Sequence, residues 1–188
     1  TNTAAHSAFQ KSIKDYIQPI MISAIAVLPF LTSLKTEERE GICVGVIYFF
    51  IYWLTSRASS VAGKVKKTWL KPSAVITLLG GLLAGIISGI LYGFEYWWFA
   101  LLFFTMIYVV ENFRKPIMTG LVADQVPNSI LASVLSAQSQ LKTIITVLIS
   151  LLIGVVADFW GVGVAIALVA FVIGFIVIGI QIYKKTDN

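Results

Sequence analysis

Cysteine and histidine are almost missing from this sequence. Cys43 and His6 are the single representatives of each in 188 residues. No disulfide can therefore form within the chain, and a zinc or haem centre built from His and Cys ligands is excluded. Charge is scarce as well: Asp, Glu, Lys and Arg make up 12% of the residues, against roughly 25% in soluble domains. Catalytic signatures are absent too. There is no HExxH, no GxSxG, no phosphate loop and no pair of aspartates inside an apolar stretch, so we expect no enzyme, no catalytic residue and no bound cofactor or metal.

What is abundant is apolar surface. Hydrophobic residues are 58% of the chain, against roughly 45–50% in soluble domains. A soluble domain of this size could not hide so much, whereas a lipid bilayer removes the need to hide it. The net charge is +5. The basic residues stand singly between long apolar runs and read as orientation signals, not as a nucleic-acid surface.

Six apolar stretches predict an all-α integral membrane bundle, one domain over 1–188, with helices at about 16–34, 42–60, 74–92, 96–123, 129–157 and 162–183. A helix needs about 20 residues to cross roughly 30 Å of hydrocarbon. The first, third and sixth stretches satisfy this outright, and the others do so with their polar ends. A β-barrel is excluded because runs such as 166–180 show no alternation of apolar and polar residues.

The loops set an orientation. Lys11 and Lys14, then Arg57, Lys64, Lys66, Lys67 and Lys71, then Arg114 and Lys115, then Lys184 and Lys185 fall on one side. Only Lys35 and Arg39 fall on the other, beside Glu37, Glu38 and Glu40. By the positive-inside rule both termini are cytoplasmic, and the membrane is expected to be the inner (plasma) membrane. Phe94, Tyr96, Trp97 and Trp98 mark one turn on the opposite side and Phe159 and Trp160 another, where amphipathic rings favour the interface.

Some residues interrupt the apolar pattern. Gly81, Gly85, Gly89 and Gly93 recur every fourth position of the third helix, which places them on one face and lets a neighbouring backbone approach. Glu111, Asn112, Arg114 and Lys115 precede Pro116 in the fourth helix. If that helix runs on past Pro116, these charges lie within the membrane and need a cavity or a partner. If it ends near Glu111, they are a solvated flank. Glu111 and Lys115, four apart, could pair. Lys142 in the fifth helix follows Gln138 and accompanies a stripe of Ser136, Ser139, Thr143, Thr146 and Ser150. It either snorkels to the interface or faces a polar pathway.

The stretch from Pro127 to Gly161 resembles the eleventh helix of major facilitator superfamily transporters. That family's loop often reads Pro, then Arg-Ala-Thr, then an apolar pair and Ser. Here Leu131 stands for the Arg and Ser133 for the Thr, after Pro127. The helix ends Gly154-Val155-Val156-Ala157-Asp158-Phe159-Trp160-Gly161, similar to the family's Gly-x-x-Ala-Asp-x-x-Gly. The basic loop from Ser56 and Arg57 to Lys67 sits where the family carries a copy of its cytoplasmic loop motif, with Ser56 in place of the usual Asp. Helix count and spacing match over the whole chain, particular residues only in its last third.

This resemblance implies the carboxy-terminal half of a secondary transporter that rocks against an N-terminal six-helix half around a central site. The substrate or proton pathway is then expected at Glu111, Arg114 and Lys142, with Gln138 and Thr146 behind them. The partners it implies are the lipid bilayer, the other half, and a small-molecule substrate with or without protons, but no nucleic acid. The alternative is a half-size membrane protein that self-associates with a second copy or serves as a non-catalytic membrane subunit.

The charge asymmetry yields a topology test. With Cys43 replaced, a cysteine at Thr36 should label from outside an intact cell and one at Lys66 should not; labelling of both from outside would refute the six-span orientation.

Overall fold

The computed structural model of the protein describes residues 2–29, 34–65 and 67–186. Among these it is helical throughout, with no strand. The elements are α1 (Asn2–Ile13), a 3₁₀ turn (Lys14–Tyr16), α2 (Ile17–Ala26), α3 (Thr36–Ala62), α4 (Lys67–Gly93), α5 (Trp97–Ala123), α6 (Asn128–Trp160) and α7 (Val162–Thr186). Among the described residues, four segments are long and apolar enough to cross a membrane: α3, Val75–Gly93 of α4, α6, and Val162–Ile180 of α7. The 27-residue α5 matches α3 and α4 in length, but its second half carries Glu111, Arg114 and Lys115.

The first expected helix is the one most altered. Helical structure starts at Asn2 instead of near residue 16, α2 stops at Ala26 instead of 34, and the 3₁₀ turn divides the two. Residues 30–33 of that expected span lie outside the described residues, as does Lys66. The division has a local cause. Pro19 has no N–H to offer the Asp15 carbonyl four residues back, and its ring crowds that carbonyl, so the preceding turn tightens. Tyr108 of α5 fills part of the gap by donating its hydroxyl to the Lys14 carbonyl at 2.9 Å.

Elsewhere the helices outrun the apolar stretches because their polar ends are helical too. α3 begins at Thr36, not 42, and Glu37 and Glu38 occupy its first turn, where the helix dipole favours negative charge. α4 begins at Lys67, not 74. α5 continues through Pro116 to Ala123, so the solvated-flank reading of its charges does not hold. α6 and α7 are joined by Gly161 alone, at φ +84° and ψ 161°, a backbone conformation open essentially to glycine. So short a link makes the two helices antiparallel neighbours.

The centre of the bundle is α1. Ala8, Phe9 and Ile13 are fully buried, and α1 packs mainly on α6, with α4, α5 and α7 around it. α2 turns instead to α5 and α3. Arg39 of α3 closes the far end of α2 by donating to the Ile25 carbonyl at 2.6 Å. The outer faces stay apolar: Phe49, Phe50 and Trp53 on α3, Leu148, Leu151 and Leu152 on α6, and Phe171 and Phe175 on α7 are all exposed. A surface of that kind suits lipid and not water. Phe94, Tyr96, Phe159 and Trp160 are exposed at the two tight turns, as interfacial aromatics are.

The glycines of α4 divide their roles. A Cβ on Gly81 would meet the ring of His6, and one on Gly85 would meet Phe9, both of α1. One on Gly89 would stand 2.4 Å from the Gly163 carbonyl oxygen and 2.7 Å from the Ala167 nitrogen, so α4 and α7 touch backbone to backbone. Gly93 has nothing within 4 Å of its Cβ direction and leaves the expected ladder at its fourth rung. Ser88, between these rungs, ties α4 to α5 by donating to the Ala100 carbonyl at 2.8 Å.

This division gives a graded expectation. Gly89→Ala should lower thermal stability in detergent by about 1–3 kcal/mol, the typical penalty of overpacking, and Gly89→Leu should prevent assembly. Gly93→Ala should be neutral or slightly stabilising, since it gains helix propensity without a clash. Equal melting temperatures for Gly89→Ala and Gly93→Ala would overturn the assignment.

Candidate functional site

Glu111 lies near the middle of α5 and only 8% of it is exposed. A carboxylate in such a place must be matched, because removing an ion from water costs several kcal/mol even after relaxation. The match comes from α1. His6 Nδ1 lies 2.8 Å from Glu111 Oε2, and the Ser7 hydroxyl donates to Glu111 Oε1. Both carboxylate oxygens are thus engaged, each bond to a charged group contributing about 1.5–3 kcal/mol. The Glu111–Lys115 pair that the spacing allows does not form: the carboxylate turns to α1, and Lys115 is exposed.

His6 reaches this position because of Gly81. The ring is fully buried, and its Nε2 would be 2.0 Å from a Cβ on that glycine, so no larger residue at 81 leaves room for it. Nε2 itself has no hydrogen-bond partner among the described residues. The imidazole is therefore held through one nitrogen only, while the other faces the α4 backbone. A second tie between α1 and α6 lies one turn further on, where the Ser12 hydroxyl is within reach of both the Ala8 carbonyl at 2.8 Å and the Thr146 carbonyl at 3.0 Å.

Arg114 is one turn from Glu111 and 2% exposed. Its Nη1 donates to the Thr77 hydroxyl of α4 at 3.2 Å. Beside it a cavity of about 120 Å³ opens between α1, α5 and α6. Arg114, Lys115 and Thr119 line it from α5; Gln138, Ser139 and Lys142 line it from α6. Ser7 closes the third side, so one small hydroxyl touches both the cavity and Glu111. Lys142 lies near the middle of the 33-residue α6, about 21 Å from its start at the helical rise, and it is half-buried. Its side chain faces the cavity rather than the lipid side of α6.

Arg114, Gln138 and Lys142, all singled out in the sequence, thus share one cavity. Glu111 stands behind the wall, linked through Ser7. Thr146 does not join them: its hydroxyl donates to the Lys142 carbonyl at 2.7 Å, within its own helix. Thr143 does the same to the Ser139 carbonyl at 3.0 Å, so of the hydroxyl stripe only Ser139 lines the cavity. Among the site residues missed by sequence reasoning are Thr119 of α5, and His6 and Ser7 of α1. His6 and Ser7 precede the first apolar run, in a segment whose polar composition gave no sign of burial.

The cavity walls can do two things chemically. The cationic and amide groups can hold a polar solute, and the His6–Glu111 pair can carry a proton at a buried position. No ligand or metal group is suggested by clustered His, Cys, Asp or Glu among the described residues. Comparison with protein-family models, with curated proteins and with solved structures finds no match to this chain.

Proposed function

We propose that the chain is the carboxy-terminal half of a secondary transporter of the major facilitator type and moves a small solute across a membrane by alternating access. The observation that supports this most is the cavity itself. Three cations and a glutamine line it, within the spans of helices whose outer faces are apolar. Ionisable groups at such depth belong to substrate or ion pathways far more often than to packing. Secondary transporters place their sites near the midplane, where two repeats meet. In this reading α1, the 3₁₀ turn and α2 together form the first of six spans and α5 is the fourth. The second wall of the site is supplied by an N-terminal six-helix half or by a second copy of the chain. Both termini face the cytoplasm across the plasma membrane, the cavity lies in the cytoplasmic half, and no catalytic chemistry takes part.

Glu111 then acts on the solute indirectly. It fixes α1 against α5 through His6 and Ser7, and Ser7 transmits that position to the cavity wall. Arg114 and Lys142 face the solute from different helices of this half, and rocking of the half against its partner turns them toward one side of the membrane and then the other.

The reading is tested by uptake into proteoliposomes with the full-length protein that carries this chain. Lys142→Ala should reduce uptake roughly tenfold or more while the protein stays folded and inserted, as expected from loss of about 1.4 kcal/mol at the site. Glu111→Gln keeps an acceptor for Ser7 but removes the charge facing His6, so it should reduce uptake as well. Thr146→Ala should transport normally, since its hydroxyl is turned into its own helix. Wild-type uptake in both Lys142→Ala and Glu111→Gln would move the site elsewhere.

A further inference from the structure

One charged pair of the first span is out of place in lipid. Lys14 and Asp15 form the 3₁₀ turn with Tyr16, and their side chains are 57% and 86% exposed. Three neighbouring helices fix their depth. The Lys14 carbonyl accepts from Tyr108, near the middle of α5. Ser12, just before the turn, reaches the Thr146 carbonyl, near the middle of α6. Phe9 lies against Gly85, midway along the Val75–Gly93 segment of α4. Even by this last measure Asp15 is only about 9 Å from mid-span at the helical rise, inside the roughly 15 Å half-thickness of the hydrocarbon.

The pair lacks the geometry of a buried one. Lys14 Nζ stands 4.0 Å from Asp15 Oδ1, far from the close, hydrogen-bonded arrangement that can offset desolvation. Facing hydrocarbon, both charges are strongly disfavoured. Under a dry protein cover, so loose a pair does not recover what it loses by leaving water. In water the same geometry is ordinary, so water is the surrounding that fits.

The polar surface does not stop at the pair. Lys11, Asp15 and Gln18 follow one another at helical spacing and share one face. Lys14 lies beside them, and all four are exposed. Lys11 is near enough to Lys142 to act on it electrostatically, and Lys142 lines the cavity with Gln138 and Ser139. α1 packs along α6 on this side. A polar track thus leads from the cavity, along the outer face of α1, to the break between α1 and α2. Solute sites of secondary transporters lie at this depth, often where a helix is interrupted.

We propose that the solute path continues from the cavity to the α1–α2 break, where Lys14, Asp15 and Gln18 line a water-filled stretch that opens to each side of the membrane in turn. The inference deepens the transport reading and rests on it, since that reading supplies the second wall over this face.

The test needs no knowledge of the solute. Single cysteines are placed in the full-length protein, with Cys43 and any other native cysteine replaced, and exposed to a membrane-impermeant methanethiosulfonate in right-side-out cells and in inverted vesicles. Asp15→Cys and Gln18→Cys should react from both sides. Their rates should exceed that of Phe175→Cys, on the exposed apolar face of α7, by roughly tenfold or more, because the reactive thiolate forms in water and not in lipid. Thr36→Cys and Lys64→Cys mark the two sides, and each should react from one side only. Lys11→Cys is the second probe should Asp15→Cys fail to insert. Reaction no faster than at Phe175 would mean that lipid or dry protein covers the break, and reaction from a single side would mean a blind crevice. Either result overturns the proposal and leaves the Lys142 uptake test standing, because the path would then end at the cavity. Two-sided reaction in a protein that takes up nothing keeps the water-filled break and removes the transport reading.

Discussion

Glu111 cannot remain charged in the middle of an apolar bundle without partners, and meeting that need organises much of what surrounds it. Its partners, His6 and Ser7, are on α1, so α1 has to lie deep between α4, α5 and α6 rather than at the surface. That depth requires room, and Gly81 and Gly85 supply it by giving His6 and Phe9 a backbone surface to rest on. α1 in turn blocks the space beside α5 up to Ser7, and what is left beyond Ser7 is the cavity. Removing the carboxylate would leave a buried imidazole with neither nitrogen matched; removing the imidazole would strand a charge, the costlier error of the two.

The cavity illustrates a division that composition alone does not express. Ser136, Ser139, Thr143, Thr146 and Ser150 share a face of α6, yet Thr143 and Thr146 bond to carbonyls of their own helix, as helical hydroxyls commonly do. Lys142 and Gln138 have longer side chains that cannot be satisfied so locally, and these reach the cavity. Beside these two, Ser139 is the one hydroxyl of the stripe that lines the cavity.

How far the sequence could be read follows from the same physics. Long apolar runs located the helices from α3 to α7, because lipid exposure demands unbroken hydrophobicity and leaves a plain signal. Their ends were misplaced wherever polar residues continue the helix, as from Thr36 and from Lys67. The glycine spacing in α4 pointed to close packing on one face, and three of the four positions meet another helix there. Glu111, Arg114 and Lys142 were legible as charges in the wrong solvent. α1 was not legible, because His6, Ser7 and Ser12 are polar and their burial depends on partners more than a hundred residues away. A lone histidine carries no period. The clue available, in hindsight, was a pair of bulky rings three apart at His6 and Phe9, matched to glycines four apart at 81 and 85, and reading it requires knowing which helices meet.

The contact of Gly89 with Gly163 has a genetic consequence. In most packed pairs a side chain enlarged on one helix can be accommodated by a smaller one opposite, so damage at one position is open to rescue at the other. Here both positions already hold the smallest residue, and the clash would be with backbone atoms. Only Ala167 among the neighbours could shrink, and by a single methyl group. A selection for revertants of a Gly89 substitution should thus return the original glycine or changes that separate α4 from α7, and the two glycines should be lost or kept together.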